Sequence, residues 1–405
     1  ASYRRQRQMC IRDRYSRGWL RRLMANIKQL KHLEHLEDEM LNYGVDGCMA
    51  SVSFLKELQK MLGQQETSGF MQTKWDGAPS VVCGMDPLAN IFFVGTKSVF
   101  NKDTPKICYS EEDVDEMYTG DLAEKLRFSY RYFSKLNITG VVQGDLLFTT
   151  DLRNETIKGE KLYTFRPNTI TYGIPVHHDL GTKASRAKIG VVFHTHYTGS
   201  DLPTMQAKAG ADVKESNDVF IVKNDTPMHK VGMSRVELNK FESSIREIER
   251  MCRECGDFLN ELVDVSGTTG DDKFHVASYI KQFFNNEIKN ARSIGNVSKT
   301  LENLTNFYHE KMSKELGKIK TEKNLVAKRN LVYKSENYLM ENETKFKAML
   351  SLYKKLQEVK QMVIDKLDHL EEFRTFVQTE KGYKITTPEG YVLHKDGDMI
   401  KFVNR

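Results

Sequence analysis

The spacing of hydrophobic residues changes several times along the chain, and each change marks a predicted structural region. Over residues 24–71, apolar side chains recur every three or four positions, which predicts helix. The residues that carry this pattern are Leu30, Leu33, Leu36, Met40 and Leu41, followed by Phe54, Leu55, Leu58 and Leu62. Gly44 and Gly47 separate the two runs, so we predict a helical hairpin for this region.

Short apolar runs bounded by turn residues dominate residues 72–223 and predict strands. The candidates include residues 80–84, 90–95, 140–148, 157–163, 168–176 and 188–197. One helix is predicted among them, over residues 111–136, with Leu122, Leu126, Tyr130 and Phe133 on one face. Many short strands joined in this way favour an α+β domain built from antiparallel sheets.

The composition changes again over residues 234–372, where Gly and Pro nearly disappear and long Lys- and Glu-rich segments have helical periodicity. We predict a helical, coiled-coil-like insertion here and interpret its charge as a solvated helix surface rather than a nucleic-acid patch. The strand pattern returns over residues 373–405. The predicted fold class is therefore α+β, with residues 72–223 and 373–405 forming one domain around the helical insertion.

The N-terminal segment accounts for the basic balance of the chain. Residues 1–23 carry eight Arg and one Asp without periodicity, and the run RQRQMCIRDR is typical of translated sequencing-adapter sequence. We expect a non-native or disordered tail, a natural start near Met24 and a truncated C-terminus, because the chain ends inside a strand pattern. The net charge of +6 becomes −1 without this segment, since 53 basic residues then face 54 acidic ones. Overall charge is thus no argument for a nucleic-acid partner.

Cysteine usage and hydropathy bear on the compartment. The six cysteines are scattered, which is consistent with a reducing cytoplasm. Cys252 and Cys255 form the one C-x-x-C pair, which we interpret as structural because no further ligands accompany it in the sequence. The sequence has no apolar run of the roughly 18 residues that span a bilayer, and no signal peptide. We therefore predict a soluble, cytoplasmic protein.

The run TKWDGAPS at residues 73–80 places Lys74 two residues before Asp76 and three before Gly77. Such a setting suits an amine that attacks phosphorus, because the glycine lets a nucleotide approach the backbone and the carboxylate lies beside the amine. The pattern fixes only three positions, and a charged turn that enters a strand is the structural alternative. Other polar residues must decide between the two interpretations.

Further polar residues follow this motif in a characteristic order. They are Lys97, Asp145 within a strand, Tyr172 on a later strand, Glu389-Gly390 before a strand, and Lys401 near the end. Their types and order resemble the covalent nucleotidyltransferase superfamily, which includes ATP-dependent RNA and DNA ligases and mRNA capping enzymes. The run EGYVL at residues 389–393 is especially similar to the RNA-ligase form of the fourth motif. The resemblance implies a ligase-type nucleotidyltransferase domain.

The resemblance also implies a role for each matched residue. Lys74 would attack the α-phosphorus of ATP and hold AMP as a phosphoramidate, with Asp76 and Gly77 beside the nucleotide. An amine attacks only in its neutral form. A nearby cation or metal is therefore needed, because its positive charge favours the neutral form of Lys74. Lys97, Lys401 and a divalent metal would serve this need while they neutralise phosphate charge.

Two carboxylates and one aromatic residue complete the site that the resemblance implies. Asp145 and Glu389 would hold a metal or the ribose hydroxyls, and ligands that are all oxygens suit Mg²⁺. Tyr172 is the first choice for stacking on the base and Phe193 is the alternative, although either ring could also belong to the core.

The sequence departs from the superfamily pattern in three places. Asp145 stands where the family usually has Glu, Val403 occupies the position of a second lysine, and the helical insertion separates the fourth motif from the earlier ones. His194 and His196 lie on one face of a predicted strand and could reach a common ion. We favour half-buried strand histidines, because no carboxylate or Cys partner has a matching spacing.

The chain also resembles, over nearly all of residues 24–405, a family of uncharacterised tailed-phage proteins, through runs such as KWDGAPS, GTKSVFNK, QGDLLFT and PEGYV. The leading hypothesis is an ATP-dependent, lysine-adenylating nucleotidyltransferase, most similar to an RNA ligase, with nucleic-acid ends as acceptor. RNA, DNA or another acceptor, and GTP in place of ATP, remain open. The alternative is a non-catalytic phage structural or interaction protein with a degenerate ligase-like domain and a functional helical bundle.

Overall fold

The computed structural model describes residues 34–223, 225–267, 276–289, 294–368, 373–380, 382–396 and 398–403. These residues form two compact units. The first contains the chain before Phe70, residues Gly232–Asp365 and the chain from Ile400. The second contains Phe70–Val231 and Lys366–Met399. The predicted tail at residues 1–23, and Leu30 and Leu33 of the predicted hairpin, lie outside the described residues.

The second unit is built mainly from strands. These are β1 (Phe70–Lys74), β2 (Ser80–Met85), β3 (Phe92–Gly95), β4 (Val141–Phe148), β5 (Arg153–Ile157), β6 (Glu160–Phe165), β7 (Ile170–Pro175), β8 (Ile189–Thr198), β9 (Gln206–Ala209), β10 (Val219–Ile221), β11 (Arg374–Thr379), β12 (Gly382–Ile385), β13 (Gly390–Lys395) and the start of β14 (Asp398–Phe402). Three helices accompany them, the first two of which were expected to be continuous. They are α2 (Glu111–Met117), α3 (Gly120–Phe133) and α4 (Asp179–Arg186).

The strands form three sheets. A central sheet has the order β10-β8-β4-β2-β3, with β9 also on β8, and a second has the order β12-β11-β7-β6-β5. In the third sheet β1 pairs with β13, and β14 lies next to β13. The pairings for which a direction is given are antiparallel except that of β10 with β8. The predicted α+β class with antiparallel sheets is thus confirmed at this level.

Strand β4 is buried on both faces, which explains its nearly continuous apolar run. On one face Val142 and Leu146 pack in a core with α2 and α3. On the other face Leu147 packs with Phe165 and Tyr172 of the second sheet. Burial at this strand removes large apolar side chains from water on both sides, at roughly 25 cal/mol for each Å² buried. Strand β4 therefore holds Asp145, which lies between Gly144 and Leu146, in a fixed position.

The first unit is helical. Its helices are α1 (Glu39–Leu62), α5 (Arg235–Glu254), α6 (Gly256–Gly267), α7 (Val276–Lys289), α8 (Val297–Leu316), α9 (Glu322–Glu341) and α10 (Glu343–Leu367). Their core includes a Phe284–Tyr353 stack with ring centroids 4.1 Å apart. A buried ion pair joins Lys360 Nζ to Glu37 Oε1 at 2.6 Å. Within the described part of the chain, no helix is both long and apolar enough to cross a bilayer.

A disulfide joins Cys48 of α1 to Cys252 of α5, across 204 residues of sequence. The scattered spacing of the cysteines gave no indication of this pair. Cys255, the other member of the C-x-x-C pair, is a buried free thiol. Burial is also the main cause of the raised pKa of this thiol. The C-x-x-C pair therefore does not close on itself.

Two predicted elements differ from the structure. The helix expected over 111–136 is broken between α2 and α3, where Gly120 adopts a φ of +66°. The strand expected over 157–163 is a hairpin of β5 and β6, because Lys158 and Gly159 both have positive φ and form the turn. At the predicted N-terminal hairpin, α1 is interrupted at Gly44, whose φ of +62° and ψ of −137° are non-helical, so the break falls where the two apolar runs separate.

Candidate active site

Lys74 is the last residue of β1, and the pairing of β1 with β13 determines its neighbour. Lys74 lies opposite Gly390 in the register, so the residue before Gly390 is brought to the lysine. That residue is Glu389, and its Oε1 accepts a short hydrogen bond from Lys74 Nζ. The side chains of Lys74 and Glu389 are 31% and 28% exposed. They therefore form a partly buried ion pair at a strand end that solvent can reach.

The loop after Lys74 is anchored by Asp76. The Asp76 carboxylate accepts hydrogen bonds from Asn168 Nδ2 at 2.9 Å and from the backbone N–H groups of Thr169 and Ile170 at 2.7 and 2.8 Å. The backbone N–H of Asp76 donates to Tyr172 Oη at 2.9 Å. Four hydrogen bonds thus hold the Lys-x-Asp-Gly loop against the start of β7. Asp76 acts here as an anchor of the loop.

Gly77 lies against β4 at very close range. A Cβ atom at Gly77 would be 2.5 Å from Asp145 Cβ and 3.1 Å from the Leu146 carbonyl oxygen. The next residues continue the contact, because Ala78 N–H donates to Leu146 O and Leu146 N–H donates to Pro79 O, both at 3.0 Å. The glycine of the motif is required by this approach of two backbones.

Asp145 lies on β4 opposite Ser80 and is 23% exposed. Its Oδ1 is 3.5 Å from Nε2 of His194 on β8. The neighbouring inward residue, Gln143, donates to Ser80 Oγ at 2.8 Å and accepts from Tyr197 Oη at 2.5 Å. A row of polar side chains therefore runs along β4 beside the loop. The sequence offered His194 as a candidate ligand, but it did not indicate this contact with Asp145.

The carboxylates lie close enough to influence one another. Burial raises the pKa of Glu389 above its ordinary value, the Lys74 ammonium opposes this, and the negative charges of Asp76 and Asp145 raise it further. Among the described residues, no group of three or more His, Cys, Asp or Glu is arranged to hold a metal ion. Mg²⁺ is usually held by one or two carboxylates together with substrate phosphates, and Asp145 and Glu389 have ligand atoms of this type.

His394 extends the site along β13. It lies opposite Phe70, on the same face of the sheet as Lys74, and the two rings stack with centroids 4.5 Å apart. Burial and the nearby charge of His194 lower the pKa of His394 to about 4. Its Nε2 is buried and has no hydrogen-bond partner among the described groups. No motif in the sequence marks His394 as part of a site.

Tyr172 and Phe193, the two candidates for base stacking, are core residues in this structure. Tyr172 is 2% exposed, with Trp75 and Phe165 against its ring. Phe193 is 4% exposed and packs edge-on against Phe133 of α3. Neither ring presents a free face to a ligand, because neighbouring side chains occupy the space. Tyr172 instead contributes its hydroxyl group to the loop of the motif.

Lys97 and Lys401 are not brought to Lys74 by any described contact. Lys97 is exposed and begins a short 3₁₀ helix, Lys97–Phe100. Lys401 lies on β14, in the part of that strand that belongs to the first unit. Its backbone N–H donates to Glu34 O at 3.1 Å.

The arrangement of the second unit combines a nucleophilic side chain with acidic groups. Lys74, Asp76, Asp145 and Glu389 converge from two strands, one loop and the position just before β13, although more than 300 residues separate the first from the last. Asn168, Gln143 and His394 belong to the same region and had no sequence signal, because their positions depend on strand pairing. An amine next to carboxylates that can bind a cation is suited to attack on a metal-bound phosphate.

Comparison with known proteins gives a family and no activity. No curated protein and no solved structure matches the chain. Residues 26–405 match a family described as a family of unknown function, DUF6267. Because the match covers nearly the whole sequence, the chain belongs to the DUF6267 family.

Proposed function

We propose that this protein is an ATP-dependent nucleotidyltransferase that attaches AMP to Lys74, and that it is most similar to RNA ligases. The observation that carries the proposal is the contact between Lys74 and Glu389, which unites the first and fourth motifs of the resemblance. Asp145 of the third motif influences the same carboxylate. The second unit would then be a ligase-type nucleotidyltransferase domain with the helical unit as its insertion.

The proposed reaction is a displacement at phosphorus. The lone pair of Lys74 Nζ forms a bond to the α-phosphorus of ATP, the bond from that phosphorus to the bridging oxygen breaks, and pyrophosphate leaves. Lys74 gives one proton to water when it becomes the neutral amine, and it loses a second as the N–P bond forms, which the departing pyrophosphate takes up. The product is a lysyl-AMP phosphoramidate, from which AMP passes to an acceptor.

The ion pair between Lys74 and Glu389 describes the resting state of such a site. An ammonium group that donates to a carboxylate has no lone pair for attack. Glu389 must therefore find another partner before the reaction, and burial, which raises the pKa of its carboxyl group, makes its charge costly where it lies. Mg²⁺ bound by Asp145 and Glu389 would supply positive charge for the phosphates.

The loop that follows Lys74 contributes by position. Asp76 fixes the loop through four hydrogen bonds, and Gly77 allows the backbone to lie against β4 beside Asp145. A nucleophile held in this way loses little freedom when the substrate binds, which is the source of much of the rate in such reactions.

The acceptor in this proposal is a polynucleotide end, RNA or DNA, and a phosphodiester bond is the final product.

Incubation of the full-length protein with ATP labelled at the α-phosphate and Mg²⁺ tests this function. We expect a labelled protein band that resists denaturation, that is absent in Lys74→Ala and that remains in Lys161→Ala, since Lys161 is an exposed lysine on β6. ATP labelled at the γ-phosphate should leave no label, and GTP labelled at the α-phosphate tests the choice of nucleotide.

Absence of label from the folded wild-type protein, with either nucleotide, would contradict the proposal. That result would favour the alternative of a non-catalytic structural or interaction protein. Label that persists in Lys74→Ala would show attachment at another residue and would equally overturn the assignment.

A further inference from the structure

Positive charge is concentrated at one end of the α8–α9 pair. Residues 311–334, which we name the basic hairpin tip, contain eight Lys or Arg and two Glu, a net charge of +6. Residues 24–310 and 335–405 together contain 45 basic and 52 acidic residues, a net charge of −7. The basic hairpin tip therefore differs strongly in charge from the rest of residues 24–405.

Most of these cations lack a counter-charge within the described residues. Lys314, Lys318, Lys320, Lys323 and Arg329 are exposed and form no ion pair with any described carboxylate. By contrast, Lys328 pairs with Glu315 at 2.6 Å, which joins the two helices. Like charges so close together repel one another in the free protein, and an anionic partner would relieve that repulsion.

The first two-thirds of α9 contribute little to the core of the first unit. The first buried residue of this helix is Ser335, so residues 322–334 are exposed or only half-buried. Two large apolar side chains are exposed there, Val326 at 45% and Tyr333 at 66%. Tyr333 follows Arg329 by four positions and so lies on the same face of the helix. The surface thus offers an aromatic ring beside unpaired cations.

We infer that the basic hairpin tip binds the phosphate backbone of a single-stranded polynucleotide, with Tyr333 as a platform for one base. Lysines and arginines that meet phosphates release condensed counterions, which is the main source of such binding. Exposed aromatic rings add base stacking without sequence preference. The sequence predicted that the charged residues of these helices form a solvated surface rather than a nucleic-acid patch. The basic hairpin tip is the one part for which we propose nucleic-acid binding.

The inference rests on the proposed function, because the strand held here is the acceptor of the ligase-like reaction. The two are nevertheless separable. Labelling of Lys74 by ATP needs no polynucleotide, and binding of a polynucleotide at the basic hairpin tip needs no adenylation.

Fluorescence anisotropy with labelled 20-nucleotide strands, one of RNA and one of DNA without secondary structure, tests the inference on the full-length protein. The variant is Lys318→Glu/Lys320→Glu/Lys323→Glu. The control is Lys161→Glu/Lys240→Glu/Lys384→Glu, which makes the same change of net charge at exposed lysines outside the basic hairpin tip. We expect the tip variant to bind at least about tenfold more weakly at 0.1 M salt and to lower the slope of log K against log salt by about 2, since each lost phosphate contact contributes about 0.7.

Tyr333→Ala should weaken binding about fivefold or more with an unchanged salt slope, and Tyr333→Phe should bind like the wild type. Equal losses in the tip and control variants would overturn the inference, as would a wild-type protein that binds neither strand. Both triple variants should still accept label at Lys74. If the wild-type protein and the control variant bind and the tip variant does not, but no label forms on the wild-type protein, the proposed function fails and this inference survives. If label forms on the wild-type protein but that protein binds neither strand, the reverse holds.

Discussion

Lys74 and Glu389, separated by 315 positions in the sequence, share a hydrogen-bonded ion pair at the ends of two paired strands. The pairing of β1 with β13 brings them together, so the contact depends on two strands that are far apart in the sequence. Each side chain is about one-third exposed. Ion pairs with this exposure contribute little to stability, usually below about 1 kcal/mol. A functional role for the pair is therefore separable from a structural one.

Replacement of Glu389 by Gln distinguishes a functional role of the ion pair from a structural one. We expect Glu389→Gln to change the free energy of unfolding by less than about 1 kcal/mol, because the lost ion pair is offset by relief from burying the charge. Labelling of Lys74 should nevertheless be abolished. Urea unfolding and labelling, measured on the same preparation, check both expectations. A folded Glu389→Gln protein that labels normally would remove Glu389 from the site.

Gly77 is required for the contact of its loop with β4. Gly77→Ala places a methyl group 2.5 Å from Asp145 Cβ, so the loop or the strand must move. We expect a loss of about 1–3 kcal/mol in the free energy of unfolding, measured with urea. Gly232→Ala is the control, because an added Cβ there meets no atom within 4 Å. Equal stability of the two variants would show that the close approach does not exist.

Asp76 is predicted to act mainly through the hydrogen bonds that its carboxylate accepts. Asp76→Ala leaves three donors without their partner and should lower the free energy of unfolding by about 2–3 kcal/mol. Asn168→Ala removes only one of these donors and should cost about 1 kcal/mol. Urea unfolding compares the two. A larger effect of Asn168→Ala than of Asp76→Ala would contradict the assignment of Asp76 as the anchor.

His394 gives the protein a pH dependence in the acid range. Its folded pKa of about 4 lies below the ordinary value of 6.5, so the unfolded chain binds a proton that the folded protein refuses. The contribution of neutral His394 to the free energy of unfolding is fully present above pH 6.5. It should fall by up to about 3 kcal/mol as the pH drops towards 4. His394→Phe keeps a ring against Phe70 and should remove this part of the decline. If the free energy of unfolding depends on pH in the same way in the wild-type protein and in His394→Phe, this role of His394 is contradicted.

Glu389 contributes a pH dependence of the free energy of unfolding that is opposite in sign to that of His394. Its pKa is raised in the folded protein, so its contribution to stability is present at low pH and is lost as the pH rises through the folded pKa. The comparison of His394→Phe with the wild type at each pH cancels this contribution, because Glu389 is common to both proteins.

The sequence allowed the elements of the second unit to be predicted where a local signal was strong. The β2–β3 hairpin and the buried strand β4 follow from turn residues and apolar runs, and the structure has both. The break at Gly120 and the turn at Lys158 were missed, because positive φ values at these residues are not evident from hydrophobic spacing. Helix α4 has only eight residues and was missed for the same lack of a periodic signal.

The candidate site could be predicted only as far as its motifs extend. Lys74, Asp76, Asp145 and Glu389 were selected from residue type and order, and the structure brings them together. Their neighbours could not be selected, because the placement of Asn168 depends on a contact across 92 positions. The disulfide across 204 positions was beyond reach for the same reason. Tyr172 was chosen as an aromatic ring, whereas its burial became known only from packing.

The most direct test of the account is to locate the nucleotide on the protein. The full-length protein is incubated with ATP and Mg²⁺, digested, and its peptides are examined by mass spectrometry for attached AMP. We expect AMP on the peptide that contains Lys74, with fragment ions that assign it to that lysine, and none in Lys74→Ala. AMP on a different residue, or no adenylated peptide from a folded protein, would contradict it.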